Sequence, residues 1–599
     1  MDASEPMSLD DWDARTSSNR AARGHGEGVE TLSDADRARL RARIVAAFKL
    51  TGLALKAESV KLIQTALIPL SPFEWDAKLG EILRALERRT LDSSVVDGPS
   101  VQRVLDDLAF ESVLAPTTMS TSYQGHARSN GANVSNIAAS SMDRLLTCID
   151  AFSVPKLAYN ADRKTFQLVP SNPMLHSDAA SKAAIYADRF ALLKQRTLRA
   201  EHFLQPIVVT HVPSSGADDA FEQKQERFSL TPLDALIGAA EKDLQNLMTF
   251  GMLTQMEEGK LFLEDAGSTI ELDLSQLEEV LTGIFTENCF VLTEGEVVGK
   301  VLKARWIGLP ASESRETARK NFSAVNFFGG NYSIQDAPQY KVLERQNEDA
   351  FFVVLSDVWL DQPKTMEKLR VLFTGYASSP PVAFILIGDF TSPPYGRNHA
   401  PLLKQCLTQL GKLVAEFSQI KRKSRFVFVP GNNDPGPGNI LPRPGLSASI
   451  TEGFRELVPN VEFGSNPCRL RYCTQEIVIF REDLLSKMRR NCILPTPEKS
   501  DVSLAAAFTK TVIDQAHLCP LPLHVRPVYW DFDHALRIYP APDVLILADK
   551  AEPYDHRYNG CVCLNPGSFV TSGFKFYEYQ PATRRCEASE LSMDLSKLE

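Results

Sequence analysis

Apolar runs in the C-terminal half of the chain break off into short polar clusters. Phe351–Leu355 leads into Ser356-Asp357-Val358-Trp359, and Val382–Ile387 into Gly388-Asp389-Phe390-Thr391-Ser392. Phe426–Val429 leads into Pro430-Gly431-Asn432-Asn433-Asp434, and Val544–Leu547 into Ala548-Asp549-Lys550-Ala551. A later stretch reads Leu564-Asn565-Pro566-Gly567-Ser568-Phe569. Ligands collect beyond the carboxyl ends of parallel strands, so these clusters are expected to share one site. Carboxylate and amide oxygens are hard ligands, and Asp357, Asp389, Asn432 and Asp549 are of the type that holds a divalent cation. A cation so held can activate water or clamp a phosphate. Trp359 cannot ligate a metal, and Lys550 adds a positive charge beside the acids.

The elements that carry these clusters are fully apolar runs separated by helical or loop stretches. Ile477–Phe480 is another of them. That texture is the mark of a buried α/β sheet and is expected over residues 346–599. Residues 203–340 differ: short apolar runs such as Pro206–Val209, Leu261–Leu263, Thr269–Leu272 and Phe290–Leu292 alternate with turns. They predict a small antiparallel barrel, with an OB-fold as one candidate, placed at 181–345. Residues 113–180 read as a linker with short elements: Thr117–Met142 is rich in Ser, Thr, Asn and Ala, and Leu157–Val169 could make a hairpin. Tyr186, Phe190, Leu193 and Leu198 mark a helix face. Residues 31–112 read as a small helical domain, with helix starts at Ser33 and at Ser71-Pro72-Phe73-Glu74. Residues 1–30 are polar, without apolar periodicity, and are expected to be disordered.

Composition sets outer bounds. The 599 residues, 44% of them hydrophobic and 23% charged, suit several globular cores. No apolar run approaches the ~18 residues a membrane helix needs. The opening Met1-Asp2-Ala3-Ser4-Glu5 lacks the apolar core of a signal peptide. A net charge of −10 argues against a protein built to wrap nucleic acid. Ten cysteines in this length read as reduced thiols. Cys561, Cys563, Cys468 and Cys473 lack paired Cys-x-x-Cys spacing, so buried thiols are expected rather than a zinc site. Gly295–Lys300 is one residue short of a phosphate loop and reads as a strand and turn. Lys421-Arg422-Lys423-Ser424-Arg425 could be a nuclear address or a DNA contact, but cations also favour a helix C-terminus. His399, His534 and His556 read as surface or packing residues.

The series of strand-end clusters resembles the calcineurin-like phosphoesterase superfamily. Its active members read Asp-x-His, Gly-Asp-x-x-Asp, Gly-Asn-His-Asp/Glu, a lone His and Gly-His-x-His, and hold two divalent metals. Here Asp357, Asp389 and Asn432 fill ligand positions. Trp359, Ser392, Asn433, Asp549 and Ala551 stand where the family has other ligands or its catalytic His. His517 or His524 is the candidate for the lone His. The resemblance thus implies an inactivated site, with no cofactor, no metal and no catalytic residues. Its vestigial positions are Asp357, Trp359, Asp389, Asn432, Asn433 and Asp549.

An OB-fold followed by an inactivated phosphoesterase is similar to the B-subunit family of the eukaryotic replicative DNA polymerases, in its polymerase epsilon branch. Arg189–Arg196, Phe351–Leu360, Pro430–Pro435, Gln515–Pro522, Pro527–Asp531 and Leu536–Pro540 carry the resemblance. It implies a multidomain α+β protein: a helical N-terminal domain like the lid of AAA+ proteins, an OB barrel and an inactive phosphoesterase sandwich. It implies a non-catalytic nuclear scaffold for DNA replication. The implied partners are the C-terminal region of the DNA polymerase epsilon catalytic subunit, the replicative helicase/GINS assembly through the N-terminal domain, and the other small polymerase epsilon subunits. DNA contact is expected to be indirect or weak, because the barrel region is rich in acids such as Glu257, Glu258, Glu264 and Asp265, where single-strand binding needs a basic groove. The alternative is an active metal-dependent phosphodiesterase or nuclease.

Overall fold

A computed structural model describes residues 145–170, 172–203, 228–238, 247–330, 337–393, 396, 398–494 and 502–591, together with 54–67 and scattered positions between 40 and 104. The expected tail at 1–30, the helix starts at Ser33 and Ser71, the linker Thr117–Met142 and the run Pro206–Val209 lie outside the described residues. The chain divides into two compact units, Met1–Gly131 and Ala132–Glu599. No helix among the described residues is long and apolar enough to cross a membrane.

In the first unit, strand β1 (Ala54–Leu55) leads into helix α1 (Ala57–Leu67) and pairs in parallel with β2 (Val95–Val96). The two-residue ladder is not foreseen by the helical periodicity. One apolar cluster gathers Leu40, Ile44, Phe48, Ile63, Leu67, Trp75, Leu79, Ile82, Val101 and Val104. Trp75 Nε1 donates to Leu67 O at 3.0 Å, so the indole is buried with its polar atom satisfied.

The second unit begins with β3 (Leu146–Asp150), the hairpin β4 (Leu157–Asn160) and β5 (Thr165–Leu168), and helix α2 (Ala179–Leu198). Asp178 caps α2 by accepting from Ser181 N at 2.8 Å. The buried face of α2 holds Ile185, Leu192 and Leu193, but also Arg189, Gln195 and Arg196, while Leu198 stays 43% exposed. Leu198 therefore does not belong to the packed face expected of it. The charged members are buried because each finds a partner across the domain: Arg189 Nε donates to Asp533 Oδ2 at 3.1 Å, and Arg196 Nη2 donates to Pro310 O at 2.7 Å.

Strands β6 (Leu247–Glu257), β7 (Lys260–Glu264), β8 (Thr269–Asp273), β9 (Glu279–Val280), β10 (Phe290–Val298) and β11 (Val301–Gly308) build the barrel. The order β10-β6-β7-β8-β11 closes on itself through the β10–β11 pairing, leaving β9 outside the ring on β11. The expected antiparallel barrel is corrected here, since β8 and β11 run parallel, as do β9 and β11. The Gly295–Lys300 stretch is the end of β10 and its turn into β11, with a register shift at Glu294/Gly295. Gly295 lets the two strands approach, because a Cβ there would meet Lys303 O at 2.1 Å.

The remaining strands form two six-stranded sheets. One has the order β15-β14-β13-β12-β21-β22, from β12 (Phe352–Ser356), β13 (Ala383–Ile387), β14 (Arg425–Val429), β15 (Val461–Phe463), β21 (Lys575–Gln580) and β22 (Arg585–Glu590). The other has the order β19-β20-β18-β17-β16-β3, from β16 (Cys468–Tyr472), β17 (Gln475–Arg481), β18 (Val544–Ala548), β19 (Tyr554–Tyr558) and β20 (Cys561–Asn565). Its edge strand β3 comes from upstream of the barrel. Side chains alternate between the faces of each strand. Phe352, Val354, Ile385 and Val427 join Leu470, Ile477, Ile479 and Ile546 in a core between the sheets. Val353, Leu355, Phe384 and Phe426 instead meet helices α3 (Pro363–Tyr376), α4 (His399–Glu416) and α5 (Ala448–Leu457). Val478, Phe480 and Leu545 meet α6 (Leu484–Arg490) and α7 (Leu504–Asp514). A four-layer sandwich explains why these strands are apolar on both faces.

Barrel and sandwich share buried bonds. Gln515, at the end of α7, exchanges two bonds of 2.8 Å with the backbone of Phe290 in β10. Thr511 Oγ1 accepts from Ile284 N at 2.9 Å. The barrel's closure yields a contrast between two glycines. Gly295→Ala should lower stability by about 1–3 kcal/mol, because backbone rather than a flexible side chain blocks the methyl. Gly267→Ala, where the nearest atom to a Cβ is 3.9 Å away, should change it by less than about 0.5 kcal/mol. Thermal melts of the two variants measure this, and equal losses would contradict the close approach of β10 and β11.

Candidate functional site at the strand ends

The C-terminal ends of β12, β13, β14, β17 and β18 converge. Asp357 follows β12 with φ +51°, a left-handed conformation uncommon outside glycine. Its Oδ1 accepts from Asp389 N at 3.0 Å. Asp389 follows β13; its Oδ1 accepts from Asn433 N at 3.0 Å and its Oδ2 from Asn433 Nδ2 at 2.7 Å. Three of the foreseen residues, Asp357, Asp389 and Asn433, are thus brought together.

The glycines of these clusters are there for space. A Cβ on Gly388 would lie 2.0 Å from Asp434 Oδ2, and one on Gly431 would lie 2.2 Å from Asp389 Oδ1. Asp434 is enclosed by that approach. Its Oδ1 accepts from Phe390 N at 2.8 Å and its Oδ2 from Gly431 N at 2.7 Å. Burial, and then the neighbouring charge of Asp389, push its carboxyl up to about 7 against the pull of those two N–H groups.

The other foreseen residues face elsewhere. Asn432 Nδ2 donates to Glu482 Oε2 at 2.9 Å, and its Oδ1 accepts from Arg526 Nη2 at 2.9 Å. Asp549 accepts from Leu485 N at 2.9 Å and Ala551 N at 3.0 Å, so its carboxylate binds the first turn of α6. Burial raises its pKa, opposed by those bonds. Ser392 N donates to Asp361 Oδ1 at 2.7 Å. Trp359 is partly buried, in the turn where its N donates to Asp357 O at 3.1 Å. Asn565 Oδ1 accepts from Asp549 N and Gly567 N, both at 3.0 Å, and so braces the final loop.

Neither candidate for the lone histidine joins the cluster. His517 is buried at the α2 junction, 3.0 Å from Arg189 Nη2 and 3.3 Å from Asp533 Oδ1. Its Nδ1 accepts from Cys519 N at 3.0 Å. His524 is exposed in the loop that carries Arg526.

The strand that reaches the cluster there is β17, which ends at Arg481 and is followed by Glu482-Asp483. Arg481 Nε donates to Gly388 O at 2.7 Å and Asp357 Oδ1 at 3.1 Å, and Nη2 donates to Asp357 Oδ1 at 2.8 Å. Nη1 donates to Asp483 Oδ1 at 2.8 Å, and Nη2 lies 3.8 Å from Asp389 Oδ2. Burial works against the charged guanidinium, yet Asp357, Asp483 and Asp389 outweigh it and raise its pKa. Burial raises Asp357, and the Arg481 charge opposes that rise. Lys550 Nζ stands 3.8 Å from Asp389 Oδ2 and 3.5 Å from Asp483 Oδ2. Glu482 pairs with Lys487 and, at 2.7 Å, with Arg526 Nε. Arg481, Glu482, Asp483 and Arg526 are absent from the residues that the sequence pattern singles out. A signal exists for the first three: Ile477–Phe480 is an apolar run of the same kind as the others, and it too ends in a polar cluster.

Asp434 supplies a pH test. Its folded pKa is raised, so between about pH 4 and pH 7 the folded state holds a proton that the unfolded state releases, and stability falls as pH rises through that window. Relative to Asp434→Asn, the wild type should lose on the order of 2 kcal/mol between pH 5 and pH 8. Urea unfolding of both proteins at each pH measures the difference, and parallel pH profiles would contradict it.

Three family profiles match the chain in succession. The profile of the DNA polymerases epsilon N terminal covers residues 36–108, that of the DNA polymerase epsilon subunit 2-like OB-fold domain covers 179–311, and that of the DNA polymerase alpha/epsilon B-subunit covers 352–556. DNA polymerase epsilon subunit 2 of Homo sapiens is 41% identical over 560 residues, which span 92% of this chain and 99% of that protein. The DNA polymerase epsilon B-subunit of Arabidopsis thaliana is 35% identical over 559 residues, with the same two coverages. The Drosophila melanogaster subunit 2 is 34% identical over 564 residues, covering 94% of this chain and all of its own. Barrel, sandwich and N-terminal unit are thus matched in order and nearly end to end, and the chain belongs to the family of DNA polymerase epsilon subunit 2, the B-subunit of that polymerase.

Proposed function

We propose that this chain is the non-catalytic accessory subunit of DNA polymerase epsilon in the nucleus. In this reading the barrel and sandwich hold the C-terminal region of the catalytic subunit. The N-terminal unit, lid-like in its fold, links the polymerase to the replicative helicase, and the other small subunits join the same assembly. The sandwich is an inactivated phosphoesterase, in which Asp357, Trp359, Asp389, Asn432, Asn433 and Asp549 are vestigial positions.

One observation carries the non-catalytic part: the strand-end carboxylates are already engaged by the protein itself. Asp357 is held by Arg481, and Asp389 by Asn433. A divalent ion does not fit this donor set, since Asp357 Oδ1 already accepts from two guanidinium N–H groups and the Asp389 N–H. The shared buried bonds of barrel and sandwich support a single rigid scaffold.

Co-expression with the C-terminal region of the catalytic subunit tests the reading. The full chain should co-purify with it at moderate salt and should hydrolyse no generic phosphodiester with Mn²⁺, Mg²⁺ or Zn²⁺. Metal-dependent hydrolysis that Asp389→Asn abolishes would establish the alternative enzyme. A truncation starting at residue 143 should still bind the catalytic subunit. One starting at residue 181 should fail to accumulate as soluble protein, because it removes β3, whose five residues pair with Cys468–Tyr472. Soluble, binding-competent protein from the shorter piece would contradict this division of the chain.

A further inference from the structure

We propose that Arg481, backed by Lys550, is a resident counter-cation that stands in place of a metal ion, neutralising the strand-end acids and tying the two sheets of the sandwich together. This rests on the non-catalytic reading and gives it a structural cause.

Asp357 and Asp389 are buried beside one another, and two buried carboxylates repel unless a cation sits with them. Among the described residues, no group of three or more His, Cys, Asp or Glu side chains is placed to hold a metal ion. The compensating charge comes from within the chain. The Arg481 side chain is 1% exposed. Its planar fork sends Nε to Gly388 O and Asp357, Nη2 to Asp357, and Nη1 to Asp483 and, at 3.4 Å, to Ala548 O. Lys550 Nζ stands at the same 3.8 Å from Asp389 Oδ2 as Arg481 Nη2, so the two cations share that carboxylate.

Position gives the guanidinium its structural role. Asp357 and Gly388 directly follow β12 and β13, which lie in one sheet. Arg481 and Ala548 end β17 and β18, which lie in the other. One side chain therefore bonds both sheets at the carboxyl ends of their inner strands. A lysine cannot do the same, because its ammonium is a point charge without the fixed fork.

Thermal melts of the full chain, read with and without 1 mM MnCl₂ or EDTA, test the inference. The wild type should melt at the same temperature in all conditions. Arg481→Met should lower the melting temperature by roughly 3–5 °C, because it leaves Asp357 buried and unpaired in a unit of this size. Adding Asp357→Asn to Arg481→Met should raise it again, since the stranded charge is gone. Arg481→Lys should behave more like Arg481→Met than like the wild type. Should Arg481→Met not accumulate as soluble protein, the double variant decides: recovery of soluble protein supports the inference, and no recovery overturns it. A wild type stabilised saturably by Mn²⁺ through Asp389, or an Arg481→Met protein that melts like the wild type, also overturns it. Association with the catalytic subunit is scored in parallel, so a wild type that takes up Mn²⁺ and still binds that partner overturns this inference and leaves the scaffold reading standing.

Discussion

The sandwich depends on keeping acids at its strand ends without leaving their charge uncompensated. Burying a carboxylate is costly unless it is paired and fully hydrogen-bonded. Asp357 meets that condition through Arg481 and the Asp389 N–H, and Asp389 through two bonds from Asn433 with the charges of Arg481 and Lys550 each 3.8 Å away. The geometry allows little else. Gly388 and Gly431 have no room for a side chain, so the β13 and β14 loops are pressed together and the acids between them have few directions in which to find partners. An arginine at the end of β17 reaches into that space from the opposite sheet.

The same device recurs at the junction of barrel and sandwich. Arg189 on α2 is buried against Asp533, with His517 closing the group. At the opposite ends of β17 and β18, Arg315 lies 2.6 Å from Glu476 and 3.2 Å from Asp543. Glu476 is held down to about 2: burial would raise it, but the charges of Arg315, Arg319 and Arg471 prevail. Each group joins segments far apart in sequence. Such pairs add less net stability than apolar packing of equal volume would, yet breaking one strands a charge. They therefore favour one arrangement of barrel on sandwich, which suits the scaffold role proposed above.

What can be read from the sequence follows from what periodicity encodes. Runs apolar on both faces announce the buried strands, and the sandwich gives the reason: one side packs on the other sheet and the next on helices. Turn-punctuated runs announce the barrel. Its parallel β8–β11 pairing is not legible, because strand direction depends on how the ring closes. The membership of β3 in the sandwich is equally hidden, since its partner β16 lies over three hundred residues away and only pairing reveals it. At the site, residue types locate Asp357, Asp389 and Asn433 as neighbours. They cannot show that Asp549 turns toward α6 and Asn432 toward Glu482 and Arg526, which is decided by side-chain direction at strand ends.

Arg481 escapes a reading that looks for metal ligands, because a guanidinium is not a ligand. The acids alone are ambiguous: the same carboxylates serve a metal centre or a salt-bridge network, and their presence discriminates nothing. The discriminating residue is the one that supplies positive charge. Where acids cluster at strand ends, the question to ask of the sequence is which Arg or Lys ends a neighbouring strand. Arg481 closes β17 and Lys550 follows β18 by two residues, both positions readable as the ends of apolar runs. Electrostatic balance thus turns a cluster of buried strand-end acids into a positive expectation, that a cation of the chain's own stands nearby, and the geometry of Arg481 meets it.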